Sequence, residues 1–323
     1  MPSRRSFLTF AAMALAQGPA AAQPAPWPSR AIRIVVPFAP GGYTDTYARL
    51  IAAELARTLG QPVVVENRAG SSGNVGSDSV AKVPPDGYTL LVGGMNTHAI
   101  NLWLYRDLPF DPVRDFTPIA PIAWSPSVLL VQASSGIARL ADLVARAREK
   151  PGTLSFASAG VGVPGHLNVE WIKSITGIEL GHVPYKGEAD AVLALLRGDV
   201  VLASAAVPTA APHVKAGRLR AIAIAADRRS PTMPDVPTVG ETFPGVGSGS
   251  WIALFGPAGL PGDVVRRVND AVDRFLRSPE IASRMAESDL THVSMTPAAF
   301  AEYQKAEIAK WGAIVRATGL RLD

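Results

Sequence analysis

The stretch Ile32-Arg33-Ile34-Val35-Val36-Pro37-Phe38-Ala39-Pro40-Gly41-Gly42-Tyr43-Thr44-Asp45-Thr46-Tyr47-Ala48-Arg49 joins two periodicities across a break. Its first five residues are largely apolar and β-branched, the pattern of a buried strand. Pro37, Pro40, Gly41 and Gly42 end that strand. Tyr47, Ile51, Leu55 and Leu59 then recur at every fourth position, one face of a helix, and Gly60 sits where a C-terminal cap belongs. A strand that breaks on Pro and Gly and turns into a helix leaves backbone N–H groups without partners at one point. The helix dipole adds partial positive charge there. Such a place holds anions, carboxylates included.

Working outward, the alternation continues. Val63-Val64-Val65 is the next strand, and the Gly/Ser turn over residues 70–76 opens a helix that ends near Lys82. Residues 88–92 form a strand closed by Gly93-Gly94. This βαβαβ order predicts a parallel sheet covered by helices. A second set begins at Val128-Leu129-Leu130-Val131, with helices expected over 140–150, 166–175 and 189–196 and strands over 154–157 and 219–225. Residues 230–249 are rich in Pro and Gly and read as a return crossing. An apolar run at 251–255 and helices over 262–277, 280–287 and 297–318 follow. The predicted fold class is α/β, with mixed or parallel sheets flanked by helices. Domain 1 spans 27–124 plus 249–323, and domain 2, over 125–248, is inserted into it. A cleft between two such domains is a common ligand site.

The N-terminus reads as an export signal over residues 1–22. Ser3-Arg4-Arg5-Ser6-Phe7-Leu8 is a twin-arginine pattern, an apolar stretch over 7–16 follows, and Ala20-Ala21-Ala22 supplies a cleavage site. That stretch is shorter than the roughly 20 apolar residues a membrane span needs. The expected location is the periplasm, with a mature chain starting near Gln23. Without Arg4 and Arg5, 29 basic residues face 27 acidic ones, so the charge falls from +4 to +2. Near neutrality and with no long basic run, nucleic acid is not an expected partner. The absence of cysteine excludes disulfides, thiolate metal sites and cysteine nucleophiles.

A second strand–glycine loop–helix unit lies at Gly160-Val161-Gly162-Val163-Pro164-Gly165. It matches G-x-G-x-x-G, so one reading is the dinucleotide site of an exported oxidoreductase. That fingerprint wants an acidic residue about 20 positions on, closing the next strand. Glu179 comes early, Asp190 falls in a helical stretch, and Pro164 removes one N–H. The favoured reading is a second anion cradle facing the first. The five histidines, His98, His166, His182, His213 and His292, form no close ligand pair, so neither metal nor cofactor is expected. His166 beside the glycine loop either donates to a bound carboxylate or simply occupies a helix start. His98 follows a strand's C-terminal end, where open α/β sheets place ligands, although a purely structural role is the favoured reading of this residue. Asp45 is an N-cap or a ligand contact. No G-x-S-x-G elbow supports a serine hydrolase. The expected activity is therefore binding, not catalysis.

Together these residues resemble the solute-binding proteins of tripartite tricarboxylate transporters, also called Bug receptors. The matching stretches are Ile34 to Phe38 with Gly41-Gly42 and Asp45 to Arg49; Val64-Val65-Glu66-Asn67-Arg68-Ala69-Gly70; Asp86-Gly87-Tyr88-Thr89-Leu90-Leu91; His98-Ala99-Ile100-Asn101; Gly165-His166-Leu167; Val183-Pro184-Tyr185-Lys186-Gly187; and Pro212-His213-Val214-Lys215-Ala216-Gly217. They cover nearly the whole mature chain in the expected order.

The resemblance implies a periplasmic receptor of the Venus-flytrap (type II periplasmic-binding-protein) kind, monomeric, serving a membrane permease or sensor. It implies a small organic acid held mainly by backbone amides of two loops. In this chain those are Phe38, Pro40, Gly41, Gly42, Tyr43, Thr44 and Asp45, facing Ser158, Gly160, Gly162, Val163, Pro164, Gly165 and His166. Thr97, His98, Tyr185, Lys186 and Ser204 are further candidate contacts. Many members have Ser where Val163 stands, and often Asp at the positions of Val201 and Ala205. Here that segment is apolar, which favours a ligand with an apolar body over one with a cationic group. Tyr43 beside the first loop is expected to stack on a ligand ring or to fill space.

Overall fold

The computed structural model describes residues 27–226, 228–243, 249–318 and 320–322. The expected export signal lies outside the described residues. Strands β1 (Ile32–Val36), β2 (Val63–Asn67), β3 (Thr89–Gly94), β4 (Phe116–Ser125) and β10 (Ser250–Pro257) make one sheet in the order β2-β1-β3-β10-β4. A second sheet runs β7-β6-β8-β5-β9, from β5 (Ser127–Gln132), β6 (Ser155–Ser158), β7 (Gly181–Pro184), β8 (Leu202–Ala206) and β9 (Leu219–Ala225). In each sheet four strands run one way and a single strand, β10 in the first and β5 in the second, runs antiparallel between two of them. The sheets are therefore mixed, and the antiparallel strands are those at the crossings between the two domains. β4 passes into β5 through the single residue Pro126, and the chain returns from β9 to β10.

Helix α1 (Tyr43–Leu59) buries Tyr43, Tyr47, Ile51 and Leu55 against the first sheet, and Gly60 closes it in the left-handed conformation. It starts four residues before the first of the evenly spaced apolar positions, because Gly42 is already the extended N-cap. The same face of that sheet carries α9 (Gly262–Leu276), whose Val264, Val268 and Val272 join the cluster. Helix α2 (Asn74–Ala81), short helix α3 (Asn101–Leu104) and the C-terminal α11 (Pro297–Thr318) cover the other face, with Phe300 and Trp311 buried there. Helix α2 comes close to the break after β1. A Cβ on Gly76 would lie 2.8 Å from the Arg68 carbonyl oxygen and from Pro37 Cα, so this position admits only glycine. In the second domain α4 (Leu140–Glu149) and α5 (Pro164–Thr176) cover one face, and α6 (Glu188–Arg197) and α7 (Val207–Lys215) the other.

Three strands were invisible to periodicity: β4, β8 and β7, the last only four residues at a sheet edge. β4 contains Pro118 and Pro121, which argue against a central strand, but β4 lies at the sheet edge, where proline is tolerated. β8 is Leu-Ala-Ser-Ala-Ala, fully buried between β6 and β5, so it shows neither alternation nor bulk. Pro212 sits inside α7 and hid that helix.

Leu55 is fully buried at the centre of the α1 face. Leu55→Ala is expected to lower unfolding stability by about 2–5 kcal/mol, read from the urea midpoint at unchanged m-value.

Candidate ligand cleft

Each domain presents one helix start to the space between the sheets, and the two starts are built alike. In α1 the N-cap Gly42 is extended and no side chain caps it. In α5 the N-cap is Val163, again without a side-chain cap, and Pro164 occupies the first turn, where its missing N–H costs nothing. In both helices the side chain three positions after the cap turns back to the amide preceding the cap. Asp45 Oδ2 accepts from Gly41 N–H at 3.1 Å, and His166 Nδ1 accepts from Gly162 N–H at 2.9 Å. The amides of Tyr43, Thr44, Gly165 and His166 have no acceptor among the described residues.

The first loop is pinned by a polar network. Asp45 pairs with Arg49 at 2.9 Å and accepts from Asn67 Nδ2 at 2.9 Å, while Asn67 also holds the Phe38 carbonyl at 3.0 Å. Burial alone would raise the Asp45 carboxyl. The bonds from Arg49, Asn67 and Gly41 outweigh it and hold the group below the usual carboxylate range. Asp45 is thus committed to the loop.

A cavity of about 50 Å³, measured at the centres of water-sized spheres, separates the two starts. A single water needs roughly 10–15 Å³ on that scale, so the slot suits a slim molecule of few heavy atoms. One side is Phe38, Ala39, Gly42, Tyr43 and Thr44; the other is Ala159, Val163, Pro164 and Gly165. Asn96, Ser250, Trp251 and Ile252 close it from the first domain, and Ser127, Glu188, Ser204 and Ala205 from the second. The Ser204 hydroxyl is 2% exposed, has no partner among the described residues, and lies 3.1 Å from where a Gly165 Cβ would stand.

A family model described as the tripartite tricarboxylate transporter family receptor matches residues 47–320. The chain belongs to this family. It is 35% identical to protein BugT of Bordetella pertussis over 298 residues, which is 92% of this chain and 91% of that one. It is 37% identical, over 90% of this chain and 86% of the relative, to a UPF0065 protein from the tcbD-tcbE intergenic region of Pseudomonas sp.. Among solved structures, R. palustris Rpa4515 with adipate superposes at a TM-score of 0.88 with 38% identity, covering 91% of this chain and 99% of that chain. MatC from Rhodopseudomonas palustris with bound malate superposes at 0.85 with 34% identity, covering 90% and 100%. The periplasmic binding protein BugD superposes at 0.86 with 29% identity over 91% of this chain and 99% of that one. The family's two-domain receptor architecture is thus that of this chain.

Of the residues expected at the site, Phe38, Gly42, Tyr43, Thr44, Val163, Pro164, Gly165 and Ser204 line the cavity. Others do not. His98 is fully buried, stacked on Phe255 at 3.9 Å and edge-on to Phe116 at 4.6 Å. Burial pushes its ring down to about 3, so it is a neutral core histidine. Thr97 is equally buried and spends its hydroxyl on His98 Nδ1 and the Gly94 backbone. His166 has its ring stacked on His182 and both nitrogens engaged, with Gly162 and with Glu170 at 3.5 Å. Ser158 bonds the Gly160 carbonyl and His182. Pro40 and Gly41 point to solvent at the outer side of the loop, and the Gly41 amide is spent on Asp45.

Gly160, Tyr185 and Lys186 lie instead on a neighbouring cavity beside Ser72 and Gly73. A Cβ on Gly160 would meet Ser72 Oγ at 2.8 Å, and one on Gly162 would strike Leu104. The open faces of these glycines are filled by the opposite domain, where a dinucleotide reading would need a phosphate. The Ala39 amide donates to the Lys186 carbonyl at 3.1 Å across the same gap. Tyr43 is buried and fills the wall, its hydroxyl donating to Ser250 Oγ at 3.3 Å.

Sequence reasoning missed Asn96, Ser127, Glu188, Ser250, Trp251 and Ile252. Ser127 and Ser250 flank the two crossings, a positional signal that was available. Glu188 directly follows Tyr185-Lys186-Gly187 at a helix start, where an acid reads as ordinary dipole pairing. It is more than that. Half-buried, it lines the cavity; Oε1 accepts from the Ala206 amide at 3.1 Å, and Oε2 accepts from the Thr209 hydroxyl at 2.9 Å. Burial pushes it up to about 7 against both bonds. With Glu188 in the wall, the cavity is not the apolar pocket expected from the 201–207 segment.

A carboxyl raised in the folded state binds its proton more tightly there than when unfolded. Its contribution favours folding at low pH and is lost as pH rises through about 7. Glu188→Gln is therefore expected to raise the melting temperature at pH 8 and to change it little at pH 5, measured by calorimetry at both.

Proposed function

We propose that this protein is a periplasmic receptor that captures a small organic carboxylate between its two domains and delivers it to a tripartite transporter or a sensor. The observation that carries this reading is the pair of uncapped helix starts on one cavity. A carboxylate placed between them accepts from the amides of Tyr43 and Thr44 on one side and of Gly165 and His166 on the other. Hydrogen bonds to a charged group contribute roughly 1.5–3 kcal/mol each, so a few suffice for micromolar binding. The Ser204 hydroxyl supplies a further donor. Relatives solved with adipate and malate support the same ligand class.

The two-arginine N-terminus supports export, with cleavage near Ala22. We take the domains as 27–124 with 249–323, and 125–248, with Pro126 and the 249–250 return as the hinge. The contacts Ala39–Lys186, Gly160–Ser72 and Gly162–Leu104 belong to the closed form. Ligand binding energy offsets the cost of closing, and the closed form is what a membrane partner recognises. No cofactor or catalysis enters this scheme, and one chain is sufficient for it.

Isothermal titration of the mature protein against dicarboxylates, hydroxy acids, aromatic acids and amino acids tests the reading. At least one acid is expected to bind at micromolar affinity or better; failure of every acid overturns it. Gly42→Asp probes the cradle itself. A Cβ at Gly42 meets nothing within 4 Å, and the backbone there is extended, so the change carries no strain. The new carboxylate occupies the α1 amides as an N-cap. Affinity is expected to fall at least tenfold while the melting temperature holds or rises.

A further inference from the structure

We propose that Glu188 reads the far end of the bound acid through one shared proton. The site then accepts a carboxylate whose other end brings a hydrogen, as a hydroxyl, an ammonium or a protonated carboxyl, and admits a fully ionised dicarboxylate only with uptake of a proton. This rests on the carboxylate reading above and names the ligand class within it.

The geometry carries the inference. The amide donors sit at the helix starts, whereas Glu188 enters the same cavity from the start of α6. Its two oxygens already accept, from the Ala206 amide of β8 and the Thr209 hydroxyl of α7, which orients the carboxyl and leaves each oxygen one further site, as a lone pair or, on one of them, a proton. Facing it from α1 is Tyr43, an un-ionised phenol turned to Ser250 of β10. Its own turn carries Lys186, exposed at the other cavity, and Asp190. Arg49 of α1 is engaged with Asp45. Among the described residues no Lys, Arg or His forms an ion pair with Glu188. An acid on the wall of a closed slot, with only neutral donors beside it, holds a proton more readily or finds a partner in the ligand. Two ionised carboxylates in one closed slot repel strongly, and a single proton between them removes that repulsion.

The chemistry closes without a co-reactant. A hydroxyl or ammonium end donates to the Glu188 carboxylate. A second carboxylate binds Glu188 in its protonated form, and the proton comes from bulk water. The raised affinity of Glu188 for a proton suits this exchange near neutral pH.

The test is titration calorimetry of the full mature chain and of Glu188→Gln. Two ligand sets are used: hexanoate, 6-hydroxyhexanoate, 6-aminohexanoate and adipate, and the four-carbon acids succinate and malate. Runs at pH 6, 7 and 8.5, in buffers of different ionisation enthalpy, count protons taken up. For wild type, donor-bearing acids are expected to exceed hexanoate by tenfold or more at pH 8.5. Dicarboxylate binding is expected to weaken by up to about tenfold per pH unit above 7, with uptake of about one proton. In Glu188→Gln the dicarboxylate is expected to lose both the pH dependence and the proton uptake, and the ammonium ligand to lose tenfold or more. Gln keeps an acceptor for Ala206 and a donor for Thr209, and its melting curve verifies folding; Glu188→Ala serves as the second variant. Equal ligand order and unchanged proton uptake in wild type and variants overturn the inference while leaving carboxylate capture standing. No binding of any acid by wild type overturns both.

Discussion

A helix cannot satisfy the first amides it contains, and this constraint organises the whole molecule. Two such starts, uncapped by any side chain, are aimed at one cavity from two domains. Left unpaired away from water, each such amide costs about 1–3 kcal/mol. The protein chooses which amides stay free. Asp45 and His166, at equivalent helix positions, each draw back the glycine amide just outside the helix and leave the next ones facing the cavity without a side-chain cap. The same two side chains fix the loops, Asp45 through Arg49 and Asn67, His166 through its stack on His182.

The glycines of these loops do two jobs. At Gly160 and Gly162 the chain has positive φ, so it can turn sharply into the helix. The missing side chain also lets the opposite domain approach, as Leu104 does at Gly162 and Ser72 at Gly160. Turn geometry and domain closure are thereby written in the same residues. The connection between domains is correspondingly thin: Pro126 on the outward path, and the return into β10. Among the described residues the buried clusters divide largely by sheet, with Ala206 of β8 joining the first sheet's cluster and Leu167 of α5 packing beside Phe300 and Trp311. Each layer is stabilised chiefly by its own packing.

Much of the fold was legible. β1 and α1, β2, β3, β6 and α5, β9 and the C-terminal helices each bury a face with its own period, and periodicity is a local property. β4 and β8 were not, because their signals depend on placement. Prolines in β4 are harmless only at an edge, and the small residues of β8 become a strand only between two neighbours that supply its hydrogen bonds. At the site, the two cradles were legible as Gly-Gly-Tyr-Thr-Asp and Gly-Val-Pro-Gly-His, since strand-break-helix is written in consecutive residues. His98, Thr97, Tyr185 and Lys186 lie off this cavity, because chain position gives the level of a side chain in the sheet, not the direction it turns.

The sequence alone determined that two helix starts would each expose a cluster of amides, because capping and turn chemistry involve residues no more than four apart. It also determined a chain without thiols and nearly balanced in charge once Arg4 and Arg5 are set aside. Only the tertiary structure decided that the two starts share one cavity, that His98 belongs to an aromatic core, and that Glu188 stands as an unpaired acid in the cavity wall. Those are matters of burial and of which groups meet across the fold. Burial sets whether a carboxyl keeps its charge, and no spacing along the chain encodes it.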